Sequence, residues 1–178
     1  MCCLSNSSIA QQDSSIKSQV SNYISYIDSL INIDDRQNSI IRSIAEGQIS
    51  QEVVTTQIAG HHNKVDTIRN KISGGWSKNT YQNIKGDTAY KIEYHDNLRK
   101  NFYLIFFYKD NQLVYSKLEY QENGVGQTFY RKEEYYLNGQ LAYSAETPNP
   151  IDEVYKRRTD INLHLKGIEY YNEFLKDK

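Results

Sequence analysis

The chain has 178 residues, 38 % of them apolar, with 16 tyrosines, 5 phenylalanines and one tryptophan. One domain is the expected size, and the aromatics can build a core where leucine is sparse. A net charge of −1, with both signs mixed along the chain, argues against the basic stripe of a nucleic-acid binder. No run approaches the ~20 apolar residues that a transmembrane helix needs.

Residues 1–12 carry the only cysteines, Cys2 and Cys3. A disulfide framework and a cysteine-based zinc site are therefore not expected. Three readings of this segment stand. It is the tail of a secretory signal with Ser8-Ile9-Ala10 as cleavage site, a polar lipoprotein tether with lipid on Cys2 or Cys3, or a disordered cytosolic N-terminus. Export (periplasmic, surface-anchored or secreted) is favoured over a cytoplasmic location.

The domain proper is expected over 13–178. Ile16, Val20, Tyr23, Ile24, Ile27, Leu30 and Ile31 recur at threes and fours and predict a helix over 13–33. Ile40, Ile41 and Ile44 suggest a second helix at about 36–46, stopped by Gly47. Val54, Ile58, His61, Val65, Ile68 and Ile72 suggest a third at about 50–73, capped by Ser50 and ended by Gly74-Gly75. Together they predict a helical layer over 13–75.

From residue 79 the period becomes 2, and an antiparallel meander is expected over 79–146. Segment 79–84 is a candidate edge strand. Thr88, Tyr90, Ile92 and Tyr94 alternate with Ala89, Lys91, Glu93 and His95 as a half-buried strand. Residues 102–108 are apolar on both faces and read as the central strand. Further strands are expected at about 113–121, 128–137 and 141–146, joined by Asp110-Asn111, Glu122-Asn123-Gly124 and Asn138-Gly139. Asn149-Pro150 then opens a C-terminal helix, about 151–175 within the segment 150–176. Its expected stripe is Val154, Ile161, Leu165, Ile168 and Leu175. Lys156-Arg157-Arg158, preceded by Asp152 and Glu153, reads as a solvated face.

An internal repeat crosses the meander. Tyr108-Lys109-Asp110-Asn111-Gln112-Leu113-Val114-Tyr115-Ser116 matches Tyr136-Leu137-Asn138-Gly139-Gln140-Leu141-Ala142-Tyr143-Ser144. These hairpins resemble the units of MORN-type repeats, most closely at Tyr135-Tyr136-Leu137-Asn138-Gly139-Gln140-Leu141. The resemblance covers about a dozen residues per copy and departs from the family in its two copies and missing glycine array. It implies a β-hairpin scaffold for binding. The chain otherwise resembles exported bacterial proteins.

Catalytic signatures are sparse. His61-His62 point to different sides of a helix, so they do not form the i, i+4 pair of a metal site. His95 ends a strand, and His164 lies in the last helix. Glu133 and Glu134 alternate in a strand and so face opposite ways, and a pairing of either with Glu119 depends on register. Gly124-Val125-Gly126 lacks the helix and lysine of a phosphate loop. No Gly-x-Ser-x-Gly elbow occurs.

Eleven tyrosines lie between 81 and 143. A flat apolar ring with a polar tip suits recognition, and Trp76, Tyr103, Tyr115, Tyr130 and Tyr143 are the binding candidates. The expected fold is α+β: N-terminal helices, an antiparallel meander of about five strands, and a C-terminal helix packed on the sheet. The expected function is non-catalytic binding of a protein or envelope component through a tyrosine-rich sheet face, without cofactor or metal. The alternatives are a carrier with an apolar-ligand pocket between sheet and helices, and an immunity-type inhibitor.

Overall fold

The structure, a computed structural model, describes residues 6–33, 39–59, 64–98, 100–121, 128–147 and 160–178. Helix α1 spans Asn6–Ile31. Seven strands follow: β1 Ile40–Ala59, β2 Lys64–Asn83, β3 Ala89–Asp96, β4 Asn101–Lys109, β5 Gln112–Gln121, β6 Thr128–Leu137 and β7 Gln140–Glu146. Helix α2 spans Leu163–Lys176. The strands form one antiparallel sheet in the order β1 to β7, so each pairs with its sequence neighbours. The α+β class and the meander are as expected, but the sheet has seven strands rather than about five.

The two extra strands replace two expected helices. Residues 40–59 and 64–83 pair without a register shift from Ile40↔Asn83 to Ala59↔Lys64. Four is an even number, so Ile40 and Ile44 share a face in a strand as well as in a helix. The segment is rich in Ile, Val and Thr, which are stiff at χ1 and fit a pleated surface better than a helix. Gly47 and Gly74-Gly75 lie inside strands rather than at helix ends. The expected edge strand at 79–84 is the end of β2.

Strand β3 pairs with β2 only from Trp76 to Gln82. Beyond that point β1 and β2 continue as a two-stranded ribbon. The connection after β3 closes onto its base: Gly75 N–H donates to Asn97 Oδ1 (2.7 Å), and Asn97 N–H donates to the Gly75 carbonyl (3.2 Å). A Cβ on Gly74 would stand 2.8 Å from Leu98 Cα, so only glycine permits this approach.

The helices cover opposite faces of the sheet. On one face, Ile27 of α1 packs with Phe107, Tyr115 and Tyr135, flanked by Tyr23, Ile24 and Tyr143. Tyr23 Oη donates to the Tyr108 carbonyl (2.5 Å), and Lys91 Nζ donates to Asp28 Oδ1 (2.8 Å). The other face carries the larger core, with Ile92, Phe102, Leu104, Phe106, Tyr108, Leu118, Tyr120, Tyr130 and Tyr136 beneath Leu163, Tyr170 and Tyr171 of α2. Strand β4 is fourth of seven; Phe106 and Phe107 are both buried, one under each helix. That is the central strand expected at 102–108.

The helix α1 face matches the predicted stripe, although α1 begins at Asn6 rather than near Asp13. The stripe of α2 does not match. Leu165, Ile168 and Leu175 are exposed, and Leu163, Gly167, Tyr170 and Tyr171 are buried. Asn162 caps this helix by accepting from Leu165 N–H (3.0 Å). The expected start at Asn149-Pro150 and the Lys156-Arg157-Arg158 cluster lie outside the described residues.

Both copies of the repeat adopt one geometry. Asp110-Asn111 (φ 50°, 63°) and Asn138-Gly139 (φ 51°, 74°) are left-handed two-residue turns. Each hairpin also carries a register shift at the equivalent place, Phe107/Tyr108 and Tyr135/Tyr136. The shift places Tyr108 opposite Leu113 and Tyr136 opposite Leu141. The turn at 122–124 lies outside the described residues.

Candidate functional site

On the α1 face the register aligns side chains in rows across the sheet. One row runs Tyr81, Lys91, Phe107, Tyr115, Tyr135 and Tyr143, and α1 lies over it. The next runs Asn79, Glu93, Ile105, Lys117 and Glu133; the third runs Ser77, His95, Tyr103, Glu119 and Arg131. These two rows hold a cleft of about 440 Å³ that includes His95, Tyr103, Lys117, Glu119 and Gln121. It is a polar surface with one aromatic stack, and it is the candidate site.

Tyr103 stands at its centre. Its ring stacks on His95 at 4.5 Å between centroids, 24° from parallel. His95 Nε2 lies 3.3 Å from Asn101 Oδ1, which fixes the other edge of the imidazole. Partial burial, and then the negative charge of Glu119, hold the Tyr103 phenol above its ordinary pKa. It therefore stays a neutral donor at physiological pH.

Glu119 anchors the floor. Only 3 % of the residue is exposed. Its Oε1 accepts from Gln121 Nε2 (2.7 Å) and Thr128 Oγ1 (2.6 Å), and its Oε2 from Lys117 Nζ (2.9 Å) and Arg131 Nε (3.2 Å). Burial alone would raise its pKa. The hydrogen bonds from Gln121, Thr128 and Lys117, with the Lys117 charge, outweigh burial and hold the carboxyl at about 2. Such a carboxylate is ionised and saturated with donors, which suits it to holding Lys117 and Arg131 in place rather than to moving a proton.

The sequence candidates divide. Tyr103 belongs to this cleft, and Tyr143 lies two strands away in the row beneath α1, edge-on to Tyr135 at 5.5 Å. Tyr115 shares that row but is buried, its hydroxyl donating to Glu133 Oε1 (2.7 Å). Tyr130 is buried on the opposite face and donates to Glu146 Oε1 (2.7 Å). Trp76 also lies on the α2 face, stacked on Tyr94 at 6.3 Å. The five therefore do not share one surface. Nine tyrosines among the described residues are buried, so most of the tyrosine content is core.

Missed by the sequence reading were Lys117, Gln121 and Arg131. A cross-strand register was needed to find them, although Lys117-x-Glu119-x-Gln121 alternation already placed three polar groups on one face of β5.

A second cleft of about 530 Å³ lies at the start of α2 and brings together Glu134, Glu146, Asp160 and His164. As expected, Glu133 and Glu134 face opposite ways. Two carboxylates of this cleft are already engaged: Glu134 by Lys132 Nζ (3.0 Å) and the Tyr136 hydroxyl, Glu146 by Tyr130. His164 stacks on Tyr136 at 5.0 Å. The middle of α2 packs closely on the sheet: a Cβ on Gly167 would meet Leu113 Cδ2 at 2.8 Å and Phe106 Cδ1 at 2.9 Å.

Among the described residues no group of three or more His, Cys, Asp or Glu is arranged to hold a metal ion, and no helix is long and apolar enough to cross a membrane. His61, His62, Cys2 and Cys3 lie outside the described residues. No protein-family model, curated protein or solved structure matches this chain.

Proposed function

We propose that the domain is a non-catalytic interaction module that binds a protein partner through the half of the α1 face that α1 leaves open. The observation that carries this reading is the His95–Tyr103 stack set beside a saturated ion network. Aromatic rings and arginine favour interface centres. Here the ring is held by its stacking partner and Arg131 by Glu119. Side chains fixed before binding lose less entropy on association. The tyrosine-rich face expected from sequence becomes a narrower surface, one tyrosine in a polar frame.

An immunity-type inhibitor is a special case of the same surface, with a toxin as the protein partner that packs on the His95–Tyr103 stack. The MORN-type resemblance agrees with a hairpin scaffold for binding.

The test is affinity capture from the source organism with the wild-type domain and with Tyr103→Ser and His95→Ala, using Leu141→Ser as a surface control away from the cleft. A partner retained by the wild type and the control, and lost by both cleft variants, supports the reading. Capture that is indifferent to the cleft variants, or no reproducible capture, overturns it.

A further inference from the structure

We infer that β1 is a self-association edge, pairing antiparallel with β1 of a second copy about a two-fold axis through Ile44. This goes beyond the partner reading and does not depend on it.

Strand β1 is the terminal strand of the sheet, bonded to β2 along one edge. Its other edge presents backbone donors and acceptors along a strand of 20 residues, and no described strand pairs with them. Edge strands normally carry defences: a proline, an inward lysine, a bulge, or shortness. Strand β1 has no proline and no lysine, and its pairing with β2 runs without a shift. Instead it exposes isoleucine, with Ile41 43 % and Ile44 52 % accessible. The opposite edge of the sheet differs, since β7 has only 7 residues.

Charge selects both the occupant and the register. The charged residues of β1 are Arg42, Glu46 and Glu52. Antiparallel self-pairing centred on Ile44 puts Arg42 of each copy opposite Glu46 of the other. Ile44 meets Ile44 on the axis, and Ile40 falls opposite Gln48. Centring on Ile49 would instead set Glu46 against Glu52, which is repulsive. Centring on Gly47 would set Arg42 against Glu52, but Glu52 already faces Arg69 at 3.8 Å, and Ile44 would then meet Ser50. The Ile44 register alone pairs opposite charges and covers the exposed isoleucine with its own kind.

The geometry is compatible with the rest of the fold. Arg42 lies over the Tyr81 ring at 6.0 Å and donates to Asn79 Oδ1 (2.9 Å). That places Arg42, Ile44 and Glu46 on the α1 face, while α1 packs on β6 and β7 and reaches across the sheet as far as Lys91 of β3 through Asp28. A two-fold axis perpendicular to the sheet keeps each face on its own side. The result is one continuous sheet, with both Tyr103 clefts on the same side. A dimer of that form would present two copies of the cleft to a bivalent or repetitive target.

Sedimentation equilibrium of the full chain over a wide concentration range tests the inference. The wild type is expected to dimerise. Arg42→Glu and Glu46→Arg, each acting twice across the axis, should each weaken the dimer by about tenfold or more. Mixing these two variants should restore a heterodimer, because the introduced glutamate of one then faces the native glutamate's replacement, an arginine, on the other. This rescue needs both chains folded, so it separates lost association from lost folding. Ile44→Lys should give a monomer with an unchanged far-UV spectrum. A wild type that is monomeric throughout overturns the proposal. So does rescue of Arg42→Glu by Glu52→Arg instead of Glu46→Arg, or a mixture no tighter than its components.

Discussion

Lys91 of β3 meets Asp28 of α1 at 2.8 Å and thereby joins the helix to the sheet. The same ammonium lies 2.7 Å from Glu93 Oε1 and over the Phe107 ring at 5.0 Å. Burial disfavours its charge, but Glu93 and Asp28 outweigh burial, so its pKa is raised. A raised pKa stabilises the fold fully below the unfolded lysine value, and that stability is lost as pH rises through the folded value. Lys91→Met is expected to destabilise by about 1–3 kcal/mol, between an exposed and a buried pair. It should also flatten the alkaline limb of a stability–pH curve from urea unfolding. An alkaline limb like that of the wild type would show that Lys91 is not its source.

Glu119 predicts the acid limb. Its carboxyl is held at about 2, so its contribution is present above the ordinary carboxylate range and lost as pH falls through about 2. At neutral pH the shift corresponds to roughly 3 kcal/mol. Glu119→Gln keeps the shape but leaves Lys117 and Arg131 facing a neutral amide. Unfolding at pH 7 should show a loss of that order, and the gap between variant and wild type should close toward pH 2.

Trp76 reports on the ribbon. It pairs across the strands with Gly47, and a Cβ there would stand 2.6 Å from its Nε1. Gly47→Ala must therefore push the indole off the strand. Because the chain has a single tryptophan, emission reads this directly. Gly47→Ala should shift the emission to longer wavelength. Gly75→Ala, where the nearest atom to the new Cβ is 3.9 Å away, should leave it nearly unchanged.

Gly167 sets two effects against each other. Alanine in a helix interior is favoured by about 1 kcal/mol over glycine. Overpacking against Leu113 and Phe106 costs about 1–3 kcal/mol. The added carbon would also disturb the Tyr108 hydroxyl, which donates to the Gly167 carbonyl (2.7 Å). Gly167→Ala is therefore expected to lower the thermal midpoint. A higher midpoint would mean that α2 can lift without loss.

The local signals that sequence carries well were legible here. Helix α1 announces itself because its apolar residues combine spacings of three and four. The turns at Asp110-Asn111 and Asn138-Gly139 need left-handed backbone, and those residues supply it. The β1–β2 hairpin was misread because its apolar residues also recur at threes and fours, and the β-branched Ile, Val and Thr content was not weighed against a helix. The stripe of α2 was misread because tyrosine and glycine were not counted as core. Leu163, Gly167, Tyr170, Tyr171 and Phe174 are spaced as a helical face, and they do pack on the sheet. The candidate site was legible only at Tyr103. Its neighbours depend on strand register, and the burial of Tyr115 and Tyr130 depends on where the sheet places each row: Tyr115 beneath α1, Tyr130 in the core on the α2 face.

The strict β1-to-β7 order has a consequence for how the chain is made. Each strand completes a pairing with the one synthesised just before it, so no strand waits for a distant mate. During translation the sheet can zip vectorially, hairpin by hairpin, as the chain leaves the ribosome. The exception is the aromatic face, whose cover is α2, made after all seven strands. Until that helix emerges, Phe102, Phe106 and Tyr120 stand on a finished sheet without the cover of α2, and this brief interval is when the nascent protein is most open to aggregation or to a chaperone.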